Sequence, residues 1–145
     1  MNDIPKPSHA YVPGVNARHP DDWFHPLKQG IVPGMRERDM QESDAWRAGM
    51  FYREEGFYWE CHEVLEPLWL VAPSETLRRF LQANIQMVNA QLKLKMGRPK
   101  AARRLCKIVA AHLDACAPRE VILGQSVQAL RKEAIALAQI LNDTQ

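Results

Sequence analysis

A histidine, two glutamates and two tryptophans share one side of a helix predicted around residues 57–70. On a helical wheel at about 100° per residue, their arc is separate from the apolar arc of the same helix. His62 and Glu66 stand four residues apart, and Glu63 and Glu66 three apart, so successive turns bring them together. Partly buried carboxylates and imidazoles need partners, because an unpaired buried charge is costly. The complete set on this arc is Trp59, His62, Glu63, Glu66 and Trp69.

A stripe of amides on the next predicted helix can supply those partners. Gln82, Gln86, Asn89 and Lys93 lie within about 60° of one another on an otherwise apolar helix. Amide N–H groups donate hydrogen bonds to carboxylates, and the ammonium group of Lys93 adds a counter-charge. The pattern predicts a polar face shared by two helices. Such a face either binds a small ligand or a protein, or forms a hydrogen-bond network that fixes how the helices pack.

The same residues also suit a metal-assisted reaction. His62 and Glu66 can act as ligands to a divalent metal, with Glu63 as the general base, which would make the protein a hydrolase. The spacing departs from the H-E-x-x-H zinc motif, because Glu66 stands where that motif has its second histidine. A third ligand must therefore come from another element. We expect no cofactor, and a divalent metal is the alternative.

The polar arc lies within a segment that resembles the signature of domain-of-unknown-function family 309. That signature is an aromatic residue, a glutamate, a small residue, His-Glu, and then a Glu and a Trp. Here it reads Phe57-Tyr58-Trp59-Glu60-Cys61-His62-Glu63-Val64-Leu65-Glu66-Pro67-Leu68-Trp69. The segment from Phe80 to Gln86 resembles the second motif of the family, and Gly97 its later turn, so the resemblance covers about residues 44–115.

The resemblance implies a small all-helical bacterial protein without an established activity. The segments 11–14 and 18–20 look like the N-terminal extension of bacterial members. The chain departs from the family at Lys93, where many members have a histidine. Any metal ligand that this histidine provides is absent here.

The elements that must position these residues are predicted to be helices only. We expect helices over 39–55, 57–70, 75–96, 99–116 and 125–142, and no strand. Ser43 or Asp44 and Ser74 are expected to cap helix starts, and Pro67 to kink or end the second helix. Two helix–glycine–helix segments predict two antiparallel hairpins in a compact all-α bundle of about five helices.

Residues 1–38 are predicted to form an extended arm packed on a helical domain that spans 39–145. Six of the ten prolines lie in the first 35 residues, and proline removes a backbone donor and blocks helix interiors. Tyr11, Trp23 and Phe24 are expected to anchor the arm on the bundle.

Charge is divided unevenly along the chain. Residues 37–75 contain ten acids and three bases, whereas residues 76–113 contain nine bases and no acid. Because the net charge is only +2, we expect the two parts to neutralise each other. A second alternative function is binding of nucleic acid or another anionic partner through Lys100, Arg103, Arg104 and Lys107. We do not expect nucleic acid, since no aromatic residue is interleaved to stack on bases.

Length and composition exclude several classes of protein. With 145 residues, of which 46% are hydrophobic, the chain suits one globular domain. No apolar run approaches the roughly 20 residues of a membrane-spanning helix, and the N-terminal residues lack the apolar core of a signal peptide. Three cysteines are typical of reduced thiols rather than a disulfide framework. We therefore expect a cytoplasmic protein whose partner is a small ligand, a protein or a second copy of the chain, and not a membrane.

Overall fold

The computed structural model describes residues 4–143, and in this range the chain folds into helices and one small hairpin of strands. The helices are α1 (His25–Lys28), α2 (Glu37–Gln41), α3 (Asp44–Glu54), α4 (Tyr58–Leu70), α5 (Glu75–Lys95), α6 (Pro99–Asp114) and α7 (Val127–Asp143). The strands β1 (Val121–Ile122) and β2 (Gln125–Ser126) pair antiparallel. The predicted all-α bundle is confirmed; the two helices beyond the expected five are α1 and α2, which have four and five residues.

Two helical hairpins form the body of the molecule, as predicted. α3 packs on α4, α5 packs on α6, α4 packs on α5, and α7 covers α6. The approach of α3 to α4 depends on Gly49, where an added Cβ would lie 2.7 Å from Cδ2 of Leu65. Non-bonded carbon atoms do not approach so closely. Buried apolar side chains of these helices, among them Tyr52, Phe80 and Leu113, fill the core.

Local sequence signals set the start of α5 and the turn that joins α5 to α6. Ser74 caps α5, because its Oγ accepts a hydrogen bond from the backbone N–H of Leu77 at 3.2 Å. Gly97 follows α5 with φ +76°, a left-handed conformation that glycine adopts without a steric cost. Pro99 is the first residue of α6, where its missing N–H has no helical partner to lose. These ends are where the sequence predicts them.

The single helix expected over 39–55 is wrong, because Ser43 divides it into α2 and α3. The Ser43 hydroxyl donates to the carbonyl of Met40 at 2.6 Å and accepts from the N–H of Trp46 at 3.1 Å. One side chain therefore closes α2 and caps α3. Pro67 does not end α4, which continues to Leu70; the missing N–H of proline costs one hydrogen bond in the helix.

The expectation that the chain has no strand is also wrong, since β1 and β2 form a hairpin before α7. Each strand has two residues, too few for an alternating pattern in the sequence. Residues 1–3 and 144–145, at the ends of the two expected units, lie outside the described residues, and so do the first residues considered for a signal peptide. Between residues 4 and 143, no helix combines the length and the apolar character needed to cross a membrane.

Candidate functional site

The predicted histidine–glutamate pair forms on the outer face of α4. Nε2 of His62 lies 2.9 Å from Oε2 of Glu66, and the two side chains are 25% and 54% exposed. The spacing of four residues is sufficient to bring them together, because the helix advances about 5.4 Å per turn. The Glu66 carboxylate is therefore accessible from solvent while one of its oxygens is held by the imidazole.

The carboxylate of Glu63 is paired with the N-terminal segment. Nζ of Lys28, on the short helix α1, lies 3.0 Å from Oε1 of Glu63, and about a quarter of each side chain is exposed. Ion pairs with this degree of exposure contribute roughly 0–1 kcal/mol. The contact therefore contributes little to stability, but it holds α1 beside the polar face of α4.

Both tryptophans of the predicted site pair with an arginine. The guanidinium carbon of Arg18 lies 5.5 Å from the ring centroid of Trp59, and that of Arg78 lies 5.7 Å from the ring centroid of Trp69. At these distances the cation is attracted by the electron-rich face of the indole. Both tryptophans are partly buried. They stand ten residues apart on one helix, which corresponds to about 15 Å along its axis.

The amide row of α5 runs beside this face. Gln82, Gln86, Asn89 and Lys93 are partly exposed on a helix whose other middle residues are mostly buried. A four-residue loop joins α4 to α5, so the two packed helices are antiparallel. Because Trp69 contacts Arg78, the rise per residue puts Gln82 at about the same height along the helix axes as Glu66, and Gln86 at about the same height as His62.

The expected hydrogen bonds from the glutamines to the carboxylates are not formed within residues 4–143. Glu63 accepts from Lys28 of α1, and Glu66 faces His62 on its own helix instead. Within the amide row, Nδ2 of Asn89 donates to Oε1 of Gln86 at 3.3 Å. The two rows are therefore neighbours without a shared network of direct hydrogen bonds.

A complete metal-ligand set is not assembled at this face. In the described part of the chain, no three His, Cys, Asp or Glu side chains are grouped so that they can hold a metal ion. His62 and Glu66 are close enough to share a cation, whereas Glu63, assigned as the general base, is bound by Lys28. A catalytic zinc takes three protein ligands, so these two residues need a further ligand from outside the group.

The structure contains a buried polar pair that the sequence analysis missed. Glu60 is fully buried, and its Oε2 lies 2.6 Å from Nε2 of His19, a side chain only 3% exposed. The same oxygen accepts a hydrogen bond from the backbone N–H of Tyr11 at 2.8 Å. The other oxygen, Oε1, has no hydrogen-bond partner in the described part of the chain. Glu60 thus binds two residues of the N-terminal segment to α4, in addition to the contact between Lys28 and Glu63.

Aromatic rings enclose this pair. The imidazole of His19 is surrounded by five rings whose centroids lie 4.7–6.5 Å away, those of His9, Tyr11, Trp23, Phe24 and Trp59. A shell made mostly of apolar rings excludes water, which strengthens a hydrogen bond and raises the cost of losing one partner. Glu60 could have been found from the sequence, because it lies on the helical wheel beside the apolar arc of Phe57 and Val64. Its partner His19 could not.

Two other reactive side chains are withdrawn from solvent, Cys61 completely and His112 in part. Burial raises the pKa of the Cys61 thiol to about 12, so this cysteine is not a nucleophile at neutral pH. Nδ1 of His112 lies 3.3 Å from Nη1 of Arg79. Burial, and secondly the charge of Arg79, lower the pKa of His112. Neither residue belongs to the α4 face.

Comparison with known proteins gives one family and no individual relative. The model of the Domain of unknown function (DUF309) matches residues 46–105. The match covers α3, α4, α5 and the beginning of α6, and it includes every residue of the predicted polar face. No curated protein and no solved structure matches the chain. The resemblance seen in the sequence is confirmed over residues 46–105, which match the DUF309 family of domains of unknown function.

Proposed function

We propose that this chain is a binding module, and that the outer face of α4 between Trp59 and Trp69 binds a segment of a protein that carries arginine or lysine. The observation that supports this most is that both indole rings already hold a guanidinium group from the chain itself. A ring face that attracts Arg18 or Arg78 attracts a cation from a partner for the same reason.

The carboxylates on the same face favour the same kind of ligand. More than half of the Glu66 side chain is exposed, so an incoming cation can reach it. An arginine is suited to this position, because its planar guanidinium can stack on an indole and donate to a carboxylate. Gln82 and Gln86, at the same levels on α5, offer further donors and acceptors to a bound backbone.

The length of the face favours a peptide over a small molecule. The two tryptophans are separated by about 15 Å along α4, a distance that an extended chain spans with about five residues. Tryptophan and arginine are also the residues that most often dominate the energy of protein–protein binding. A small ligand, the other partner considered from the sequence, would contact only part of the face.

Selection from a displayed random-peptide library tests the proposal. The wild-type chain serves as bait, and the Trp69→Ala variant serves for counter-selection. We expect peptides containing Arg or Lys that shift the indole N–H resonances of both Trp59 and Trp69 in NMR spectra. Trp69→Ala and Glu66→Gln should each weaken binding by about tenfold or more, the loss typical of a hot spot.

The matched control is Arg104→Gln, which changes an exposed charge on α6 and should leave peptide affinity unchanged. A selection that gives no peptide dependent on Trp69 contradicts the proposal. So does binding whose resonance shifts lie away from α4. Peptides without a cationic residue would contradict the assigned ligand chemistry, although the location of the site would stand.

Metal-assisted hydrolysis is the alternative for the same residues. His62 and Glu66 supply two ligands, and a further one must come from a partner or a substrate. Calorimetric titration with Zn²⁺ and Mn²⁺ tests this alternative: it requires stoichiometric binding that His62→Ala removes.

The cellular setting that we propose is the bacterial cytoplasm, which is supported by three cysteines that are free and buried. A second copy of the chain is a further candidate partner.

A further inference from the structure

The end of the molecule formed by the last turn of α5 and the first half of α6 has a surface of uncompensated positive charge. Of the nine bases in residues 76–113, Arg78 and Arg79 pair with the carboxylate of Glu75, and Arg103 donates to the amide oxygen of Asn142. The other six form no ion pair within residues 4–143. These six, here called the basic surface, are Lys93, Lys95, Arg98, Lys100, Arg104 and Lys107.

The neutralisation expected from the sequence is met only in part: Glu75 pairs with Arg78 and Arg79, but no carboxylate of residues 37–75 pairs with the basic surface within residues 4–143. Other carboxylates of this range find partners elsewhere: Glu37 pairs with Arg119, Glu63 with Lys28 and Glu60 with His19. Asp39 and Glu42 pair with neighbouring arginines on their own segment. The near-neutral total of the chain therefore conceals one end with a strong positive potential.

Three of the six bases form a row along α6. Lys100, Arg104 and Lys107 are exposed, and their spacing of four and three residues puts them on one face over about 10 Å. Lys95 and Arg98 continue the exposed charge around the turn that precedes α6. A linear row of like charges matches a partner whose opposite charges also repeat at a regular spacing.

We infer that the basic surface binds the phosphate backbone of double-stranded nucleic acid. Phosphates follow one another along each strand, and cations that neutralise them release condensed counterions, which drives binding without reading the sequence. The basic surface has no acidic residue of its own segment to repel a polyanion, since residues 76–113 contain none.

Two other anionic partners fit the surface less well. A membrane-binding amphipathic helix inserts its apolar face among the lipids, but the apolar face of α6 is buried in the bundle through Ala102, Cys106 and Val109. Single-stranded nucleic acid is usually held by aromatic residues that stack on its bases. No Phe, Tyr or Trp follows Phe80 in the sequence, so α6 and α7 lack the usual stacking residues, whereas a duplex backbone requires none.

Fluorescence anisotropy with the full chain tests this inference. The probes are a labelled random-sequence DNA duplex, an RNA duplex of the same length and a labelled single strand, each titrated at about 25 to about 200 mM KCl. Vesicles containing phosphatidylserine provide the membrane arm. We expect duplex binding whose logarithmic salt slope is near −4, corresponding to about four or five neutralised phosphates and an affinity loss of about three and a half orders of magnitude over this range.

The Lys100→Ala/Arg104→Ala/Lys107→Ala variant should bind duplex more weakly and reduce the slope by about three. The matched control, Lys6→Ala/Arg38→Ala/Lys132→Ala, removes the same charge from other exposed positions and should retain most of the affinity. Thermal unfolding verifies that both variants fold. Absence of duplex binding at the lowest salt, equal losses in the two variants, or tighter binding to the single strand or to vesicles would each overturn the inference.

Discussion

At the scale of single residues, the pair of Glu60 and His19 places a carboxylate and its partner where solvent does not reach them. A carboxylate without solvent exposure must be matched by donors, and Glu60 has the imidazole of His19 and the backbone N–H of Tyr11. Removing one member leaves the other desolvated and unpaired, which is more costly than removing both.

We predict that Glu60→Ala and His19→Ala each lower the free energy of unfolding by about 3 kcal/mol. The double variant should lose less free energy of unfolding than the sum of the two single losses, with a coupling of about 1–3 kcal/mol. The reason is that changing both residues leaves neither member of the pair buried without its partner. Urea-induced unfolding followed by circular dichroism measures all three losses.

The matched control for this cycle is Lys28→Ala with Glu63→Ala, the partly exposed pair between the same two regions. Its coupling should stay below about 1 kcal/mol. Additive losses for Glu60 and His19 would mean that the pair is not formed, and would remove the reason for the tight attachment of the N-terminal segment.

At the scale of elements, contacts within a few residues were predictable and contacts between distant segments were not. The sequence is sufficient for the cap at Ser74 and the turn at Gly97, because each depends on its neighbours only. It is also sufficient for His62 and Glu66, which one helical turn brings together. Ser43 is the expected cap of α3, but the expected start of that helix at Asp39 is wrong, since both flanking segments favour helix and only the dual role of the Ser43 hydroxyl separates them.

The partners of the polar face show the same limit. Lys28 is 35 residues from Glu63, and His19 is 41 residues from Glu60. A single sequence contains no signal that fixes such pairings, because helical periodicity describes which side of a helix is buried and not which segment covers it. The sequence therefore predicts hydrogen bonds from the amides of α5 to carboxylates that are paired with other side chains in the structure.

Glu37 connects two elements and leads to a prediction about pH. Both oxygens of its carboxylate accept from Arg119, at 2.9 and 2.8 Å, and Oε2 also accepts from the N–H of Leu123 at 3.2 Å. The hydrogen bonds from Arg119, with that from Leu123, lower the pKa of Glu37 against the opposing effect of burial. These contacts tie α2 to the β1–β2 hairpin.

We predict that Glu37→Gln lowers the free energy of unfolding by about 1 kcal/mol near neutral pH, the usual size for a charge-assisted contact that is partly exposed. A lowered pKa in the folded protein means that the stabilisation is complete above the unfolded value, near 4.3, and is lost as the pH falls through the folded value. The difference between the wild type and the variant should therefore shrink steadily below about pH 4.5.

Urea unfolding at several pH values between about 2.5 and about 7 measures this difference. Glu42→Gln is the control, because the Glu42 carboxylate makes an exposed contact with Arg38 four residues before it, and its effect should be small at every pH. A difference for Glu37→Gln that stays constant across the range would contradict the assigned role of the carboxylate.

At the scale of the whole molecule, the two proposed binding faces differ in how their charge is compensated. On the α4 face, Glu63 and Glu66 each have a partner from the chain itself. The basic surface has none within residues 4–143, so its like charges repel one another in the folded state. Net repulsion of this kind destabilises a compact fold.

This contrast predicts that stability and polyanion binding oppose each other at Arg104. Arg104→Glu places a carboxylate four residues after Lys100 and three before Lys107, so two repulsions become two attractions along α6. The free energy of unfolding should rise by about 0.5–1 kcal/mol at low salt, and the gain should fade at about 0.5 M salt as the charges are screened.

Urea unfolding at the two salt concentrations measures the gain, and Arg104→Gln, which removes the charge without reversing it, should give about half of it. Duplex affinity should fall in the order wild type, Arg104→Gln, Arg104→Glu, the reverse of the order of stability. If Arg104→Glu unfolds more easily than the wild type at low salt, the Arg104 side chain has a favourable role in the fold, and the repulsion between Arg104 and the two lysines is absent. A rise in stability that persists at high salt would point to a contact other than the two lysines.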